Sequence, residues 1–113
     1  MSENNFYPQP INALPLADIP IDGVTARLMQ GVDTQAVFFD LPVGIEVPPH
    51  SHGAQWGVVL DGEIELTVND EVKVHAKGDS YFIPEGAIHS GRPVTRCKVL
   101  DVFFESGRYQ PKD

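Results

Sequence analysis

Glycine and proline recur along the whole length of this chain, and their spacing is the feature that most limits its fold. Ten residues of each type occur among 113 residues, and they are spread along the chain instead of pooled in one segment. They divide the sequence into pieces too short for most helices. The pattern therefore predicts an all-β protein, and the length predicts one domain.

Seven strand-like runs follow residue 24, each bounded by glycine, proline, asparagine or aspartate. They are Thr25 to Met29, Gln35 to Leu41, Trp56 to Leu60, Glu63 to Val68, Glu71 to Ala76, Ser80 to Ile83 and Arg96 to Glu105. Seven or eight short strands are typical of a sandwich or barrel. We expect residues 25–113 to form a single barrel domain and residues 1–24 to form an extended N-terminal arm. The arm carries Pro8, Pro10, Pro15 and Pro20.

The segments 63–68 and 71–76 are joined by Asn69 and Asp70 and are predicted to form a hairpin. In each segment apolar residues alternate with polar ones, which predicts one face towards the core and one towards solvent. The apolar set is Ile64, Leu66, Val68, Val72, Val74 and Ala76. The polar set includes Lys73, His75 and Lys77, so His75 is predicted to be a solvated surface residue.

The last strand-like run differs, because neither of its two faces is wholly polar. One phase holds Leu100, Val102 and Phe104, and the other holds Val99, Asp101 and Phe103. One face is expected to cover the barrel interior and the other to meet a second sheet or a second subunit. We therefore expect a homodimer, with Trp56 either in the core or at the dimer contact.

Charge and cysteine content indicate which binding partners and which cellular compartment suit this chain. Sixteen acidic residues against eight basic ones give a net charge of −8, which disfavours nucleic acid and anionic membrane surfaces. No apolar run approaches the roughly 20 residues that span a bilayer. The single cysteine, Cys97, cannot form an intramolecular disulfide, and the polar opening of the chain does not read as a signal peptide. These features predict a soluble protein of the reducing cytoplasm.

Three of the four histidines occupy positions where local geometry can bring them together. His50 and His52 are two residues apart, so in an extended segment their imidazoles point to the same side, as a metal chelate requires. His89 closes the block Gly78-x5-Pro84-x-Gly86-x2-His89, whose turns place it at the head of a strand. A pair of surface loop histidines is the alternative for His50 and His52.

Together these blocks, Gly44-x5-His50-x-His52-x2-Gln55-x6-Gly62 and Gly78 to His89, resemble the two motifs of the cupins. The resemblance implies a double-stranded β-helix, or jelly roll, and one divalent transition metal ion bound by His50, His52 and His89. Cupins typically have an acidic residue near Gln55, so Gln55 is either the fourth ligand or an outer hydrogen-bonding residue. A neutral amide leaves the ion strongly Lewis acidic and favours non-redox chemistry. The sequence does not decide whether the metal is Zn, Ni, Mn or Fe.

Gln55 and the strand Leu100-Asp101-Val102-Phe103 are also similar to the pectin-degradation cupins, which open the ring of unsaturated uronates to linear keto forms. This resemblance implies a small anionic substrate. It implies Asp101 as the general acid or base and Arg108 as the contact for a substrate carboxylate. The alternative for Asp101 is a rim residue paired with an arginine. Three other arginines compete with Arg108: Arg27, Arg92 and Arg96.

The sequence predicts ring opening or isomerisation of a sugar acid as the main function. Two alternatives belong to other classes of function. A three-histidine iron site with open positions would support an iron-dependent dioxygenase, which predicts oxygen uptake that requires Fe²⁺. A non-catalytic cupin that binds or senses a small molecule predicts ligand affinity without turnover.

Overall fold

The computed structural model describes residues 6–112 and shows an all-β fold. Its elements are α1(Gln9–Asn12), β1(Thr25–Gln30), β2(Gln35–Leu41), β3(Val47–His50), β4(Gln55–Asp61), β5(Glu63–Val68), β6(Glu71–Ala76), β7(Ser80–Ile83), β8(His89–Pro93) and β9(Cys97–Phe103). The strands form a five-stranded sheet in the order β1-β2-β9-β4-β7 and a four-stranded sheet in the order β3-β8-β5-β6. Every pairing is antiparallel. The predicted fold class, a jelly roll, is confirmed.

All seven predicted strand-like runs form strands, and β8 begins at His89, as the second motif predicted, whereas β3 was not predicted as a strand. Both contain residues that normally interrupt strands: β3 includes Pro48 and Pro49, and β8 ends at Pro93. Proline lacks the backbone N–H that a ladder needs, and it is tolerated at sheet edges and strand ends. β3 is the edge strand of its sheet, which explains why its two prolines are compatible with pairing.

The hairpin of β5 and β6 forms at the predicted bounds, but the predicted face of β6 is wrong. Its two-residue turn has positive φ at Asn69 (48°) and Asp70 (69°), which is the conformation of a tight hairpin turn. This turn pairs Thr67 with Val72 and Glu65 with Val74 on the outer face. The side chains of Val72 and Val74 are accordingly 59% and 52% exposed.

The same register places the polar residues of β6 on the inner face. Lys73 pairs with Leu66, and His75 pairs with Ile64, both of which are core residues. The ring of His75 lies 5.2 Å from that of Tyr81 on β7. His75 is therefore half-buried against an aromatic neighbour and is not the fully solvated residue that the alternation predicted.

The core fills the space between the two sheets. Its members are buried apolar residues from β1, β2, β4, β5 and β9, with Ala17 from the preceding segment. On β9 the side chains of Val99 and Phe103 point into this core, and Asp101 lies between them on the same face. The inner face of β9 therefore carries one carboxylate among apolar neighbours.

The segments before β1 and after β9 are tied to the barrel and to each other. The predicted arm contains one short helix, α1, whose first turn includes Pro10, and Ala17 forms a bridge with Pro111. The buried amide of Gln35 contacts both backbone groups of Tyr109: Oε1 accepts from its N–H at 3.0 Å, and Nε2 donates to its carbonyl at 2.9 Å. These contacts fix residues 106–112 beside one end of the barrel. Residues 1–5 of the arm lie outside the described residues.

A search of residues 6–112 for membrane-spanning helices finds none of sufficient length and apolarity.

Candidate metal centre

The three histidines of the two motifs meet at one end of the barrel. His50, the last residue of β3, is the direct cross-strand partner of His89, the first residue of β8, and their ring centroids are 4.2 Å apart. His52 follows β3 by two residues and brings its Nε2 to 3.1 Å from Nε2 of His89. One ligating nitrogen from each residue lies within 4.8 Å of the others. The predicted convergence of these three side chains is observed.

The backbone fixes the orientation of each ring. Nδ1 of His50, His52 and His89 lies 2.9, 2.8 and 2.9 Å from the carbonyl oxygens of Pro48, Gly53 and Ala87 respectively. A carbonyl can only accept, so each Nδ1 carries the hydrogen in the neutral ring and leaves the lone pair on Nε2. This is the arrangement that holds histidine ligands in metal sites, where the second ring nitrogen donates to a carbonyl or carboxylate.

The surroundings of His52 and His89 favour the neutral form of these two rings. Burial lowers the pKa of His52 and of His89, and the positive charge of Arg108 lowers both further, against the opposing effect of the backbone carbonyls. Neutral imidazole is the form that coordinates a metal ion.

Gln55 begins β4 and lines the same cavity as the three histidines. Its side chain is buried, and its Oε1 has no hydrogen-bond partner among the described residues. A buried amide oxygen without a partner costs free energy, on the order of 1–3 kcal/mol, unless something else satisfies it. Three imidazole nitrogens and one amide oxygen form a donor set that fits a divalent transition metal.

Asp101 is on β9, and its side chain lines the same cavity as Gln55 and the three histidines. It pairs with Gly57 of β4, and Gly57 in turn pairs with Tyr81 of β7. The hydroxyl of Tyr81 donates to Oδ1 of Asp101 at 2.7 Å, and the Gln55 amide also hydrogen-bonds this carboxylate. Burial raises the pKa of Asp101 to about 6, although both hydrogen bonds act in the opposite direction. The alternative of an arginine-paired rim residue is therefore wrong, because Asp101 is buried and its partners are Tyr81 and Gln55.

Arg108 is the arginine that the structure places beside the histidines. Its guanidinium carbon lies 4.4 Å from the Tyr109 ring centroid, and its Nε is buried without a hydrogen-bond partner in the part of the chain described. The three competing arginines are engaged elsewhere: Arg27 donates to the Leu14 carbonyl, Arg92 pairs with Glu65 on the outer surface, and Arg96 pairs with Asp40.

The site has an inner and an outer compartment. An inner cavity of about 80 Å³ is lined by all three histidines with Gln55, Tyr81 and Asp101. His50 also lines an open groove of about 670 Å³ beyond the barrel end, which Arg108 and Tyr109 border. A molecule seated in the groove can therefore contact both Arg108 and His50.

Sequence reasoning missed several residues that shape this site. The sequence alone does not decide whether Tyr81 or Phe82 of β7 lines the cavity, and the pairing of β7 with β4 shows that it is Tyr81. Glu105 also carries no sequence signal for a role at the site, yet its Oε1 accepts from the Gly53 N–H at 3.2 Å beside His52. Neither role has a local signal, because each depends on pairing between distant segments.

A comparison with protein families decides the relationship. The cupin domain family matches residues 37–103, which include both motifs and five of the six residues proposed for the site. The chain is a cupin. Arg108 lies beyond the matched segment of this cupin, so its role draws no support from the family match.

Curated relatives match only part of this cupin. It is 33% identical over 70 residues to the mannose-1-phosphate guanylyltransferase ManC of Salmonella typhimurium and 29% identical over 70 residues to a mannose-1-phosphate guanylyltransferase of Escherichia coli. Each match covers 62% of this chain and 15% of the relative. The cupin therefore corresponds to a small part of those enzymes.

Solved structures show the same fold. An RmlC-like cupin from Shewanella frigidimarina is 25% identical, with a TM-score of 0.77 over 86% of this chain and 88% of that one. A conserved Streptococcus pyogenes protein of unknown function is 28% identical, with a TM-score of 0.70 over 74% and 75%. KdgF from a Halomonas species is 23% identical, with a TM-score of 0.74 over 82% and 87%. These likenesses agree with the predicted relationship to small single-domain cupins.

Proposed function

We propose that this cupin binds one divalent transition metal ion and opens or isomerises the ring of a small sugar acid. His50, His52, His89 and Gln55 would hold the ion, which when bound would supply Lewis acidity to polarise a substrate carbonyl or hydroxyl. The observation that carries the proposal is a buried carboxylate, Asp101, in the same cavity as the three histidines. The similarity of Gln55 and residues 100–103 to the pectin-degradation cupins supports the substrate class.

Asp101 is suited to proton transfer by its position and its environment. Opening the ring of a hemiacetal uronate removes the proton of the anomeric hydroxyl and breaks the bond between the anomeric carbon and the ring oxygen. Return of that proton to the carbon of the released enolate gives the linear keto form, so the overall composition does not change. The proposal assigns both transfers to the Asp101 carboxylate, whose pKa of about 6 lets it accept and return a proton near neutrality.

Arg108 is proposed to hold the substrate carboxylate. Its Nε lacks a hydrogen-bond partner among residues 6–112, and its guanidinium carbon lies 4.4 Å from the Tyr109 ring centroid. A planar guanidinium can bind a carboxylate through two parallel hydrogen bonds. An anionic substrate in the outer groove would then be oriented with its ring towards the inner cavity.

A uronate assay at saturating metal tests the proposed reaction. The wild type should consume the double bond of an unsaturated uronate, followed by its ultraviolet absorption. Asp101→Asn should retain metal and lose at least about a hundredfold in kcat, the usual contribution of general acid–base catalysis. Arg108→Lys should mainly raise KM, because lysine keeps the charge but loses the bidentate contact. Full activity of Asp101→Asn would remove this mechanism, and oxygen uptake that requires Fe²⁺ would favour the dioxygenase alternative.

We also propose that two copies of the chain associate through the outer face of the five-stranded sheet. One row across all five strands is apolar: Met29, Ala36, Val102, Trp56 and Phe82 are direct cross-strand neighbours in this order. Met29, Trp56 and Phe82 are 49%, 39% and 57% exposed. A continuous apolar row without a charged member suits a two-fold contact in which the same patch meets itself.

The cytoplasmic location expected from the single cysteine stays a prediction.

A further inference from the structure

The hydrogen bond between Tyr81 and Asp101 crosses a strand. Asp101 is on β9 and Tyr81 is on β7, and β4 lies between these two strands in the sheet. The residue of β4 between them is Gly57, and a Cβ placed there would lie 2.2 Å from Oδ1 of Asp101 and 2.3 Å from Cζ of Tyr81. The two side chains therefore meet only because the residue beneath them has no side chain.

The hydrogen bonds continue from Asp101 to Gln55. Gln55 is two residues before Gly57 on β4, so both residues face the cavity. The Gln55 amide hydrogen-bonds the Asp101 carboxylate, which can only accept when it is ionised, and the contact therefore comes from the amide nitrogen. This leaves Oε1 of Gln55 as the end without a hydrogen-bond partner in the described part of the chain.

The Tyr81 hydroxyl limits how the Asp101 carboxylate can turn. Burial and the neighbouring carboxylate raise the pKa of Tyr81 well above its usual value, so the phenol stays protonated and donates. With Oδ1 of Asp101 engaged by Tyr81 at 2.7 Å, the carboxylate keeps one orientation towards the Gln55 amide. Without this donor, the carboxylate and the amide that it holds can rotate.

We infer that Tyr81 is a positioning residue for the metal centre, which acts through Asp101 to hold the oxygen of Gln55 towards the three histidines. Gly57 provides the space for this chain of contacts. The inference rests on the proposed metal centre and concerns ligand orientation, so it is independent of the substrate. It assigns a function to a half-buried tyrosine that coordinates nothing itself.

Binding of Co²⁺ to the metal-free protein tests the inference without a substrate. Tyr81→Phe removes only the hydroxyl, and Co²⁺ reports both affinity and ligand geometry through its visible absorption spectrum. The matched control is Tyr7→Phe, because the Tyr7 hydroxyl also makes a 2.7 Å hydrogen bond, to the Phe39 carbonyl, outside the site. Thermal stability of both variants measures the structural cost of each lost hydrogen bond.

Tyr81→Phe should weaken Co²⁺ binding about tenfold and alter the absorption bands, the scale reported for loss of an outer hydrogen-bonding residue at a metal site. Tyr7→Phe should lose a comparable amount of stability and keep the wild-type affinity and spectrum. Equal affinity and spectrum in Tyr81→Phe and wild type would overturn the inference. A wild type that binds no Co²⁺ would overturn the inference together with the metal centre, whereas a wild type that binds Co²⁺ but leaves uronates unchanged removes only the proposed reaction.

Discussion

Nε2 of His52 lies 3.1 Å from Nε2 of His89, although the carbonyl contacts of both rings leave a lone pair on each of these atoms. Two lone pairs at this distance repel unless a cation or a proton lies between them. A divalent ion would convert this repulsion into two coordinate bonds. Binding of a divalent ion by His52 and His89 should therefore stabilise the fold.

Metal addition is accordingly expected to stabilise the fold. At a free Zn²⁺ concentration of a hundred times Kd, linkage gives about 2.7 kcal/mol, which corresponds to a rise of about 10 °C in Tm for a domain of this size. His89→Ala should lose both the bound metal, measured by elemental analysis, and the rise in Tm, measured by calorimetry. His75→Ala is the control, because the structure places this fourth histidine outside the cluster. An equal loss in His75→Ala would contradict this assignment.

The two glycines that frame the first motif should differ sharply on substitution. Both have positive φ, 89° at Gly44 and 79° at Gly62, so alanine costs roughly 1–2 kcal/mol of backbone strain at either position. At Gly44 a new Cβ meets open space, whereas at Gly62 it would lie 2.2 Å from the carbonyl oxygen of Arg96. This oxygen belongs to the residue directly before β9, and Cα of Cys97, the first residue of β9, would be 2.9 Å away, so neither backbone atom can move away easily.

Urea denaturation should therefore show a loss of about 1 kcal/mol in the free energy of unfolding for Gly44→Ala. The loss for Gly62→Ala should exceed about 3 kcal/mol or prevent folding. Equal losses in the two variants would mean that the contact with Arg96 is relieved by a shift of the chain. The two variants thus separate the free-energy cost of backbone strain at positive φ from the cost of a steric clash with the new Cβ.

The convergence of the three histidines could be predicted largely from the sequence, because its signals are local. His50 and His52 share a short extended segment, and glycine and proline set the turn before His89. These are nearest-neighbour constraints, and His89 does begin a strand as predicted. The all-β class followed in the same way from the spacing of turn residues, whereas the jelly roll followed from the resemblance to cupins.

Features that depend on register between segments were predicted less well. Alternation assigned Val74 to the core, but a two-residue turn pairs residue 68 with residue 71 and so reverses the phase between β5 and β6. The contact of Tyr81 with Asp101 requires knowledge that β4 separates β7 from β9. Such information lies in the pairing of distant strands and has no counterpart in local composition.

The proposed dimer predicts a concentration-dependent mass. In sedimentation equilibrium, the wild type should approach twice the chain mass of 12.4 kDa. Trp56→Glu places a charge in the centre of the apolar row and should yield monomers. Val74→Glu adds the same charge to an exposed apolar position on the other sheet and should leave the mass unchanged. A wild type that is monomeric at all concentrations would exclude this contact.

Stability should fall at alkaline pH because of Cys97. The side chain is fully buried, and burial raises the pKa of its thiol from 9.0 to about 11. Below about pH 8 the thiol is protonated in both the folded and the unfolded states. Above pH 9 the unfolded thiol ionises first, so its contribution lowers the free energy of unfolding by about 2 kcal/mol at pH 11.

Other buried groups also titrate in that range, so the test compares slopes between two proteins. Cys97→Ala should unfold with a shallower dependence on pH between 9 and 11 than the wild type, measured by urea denaturation at each pH. Iodoacetamide should modify the wild type at pH 8 only after denaturation. Parallel pH profiles for the two proteins would show that the thiol is not responsible.

The pairing of β9 has a consequence for how the chain folds. Residue 101 on β9 pairs with residue 37 on β2 and residue 57 on β4, so the centre of the larger sheet joins segments that are 64 and 44 positions apart. Folds dominated by such distant pairings form on the millisecond-to-second scale. Closing a long loop costs conformational entropy before the contacts that offset this cost can form. The β1–β2 and β5–β6 hairpins can form early, but Asp101 reaches Tyr81 only when β9 enters the sheet. The cavity is therefore assembled in the same late step that completes the barrel.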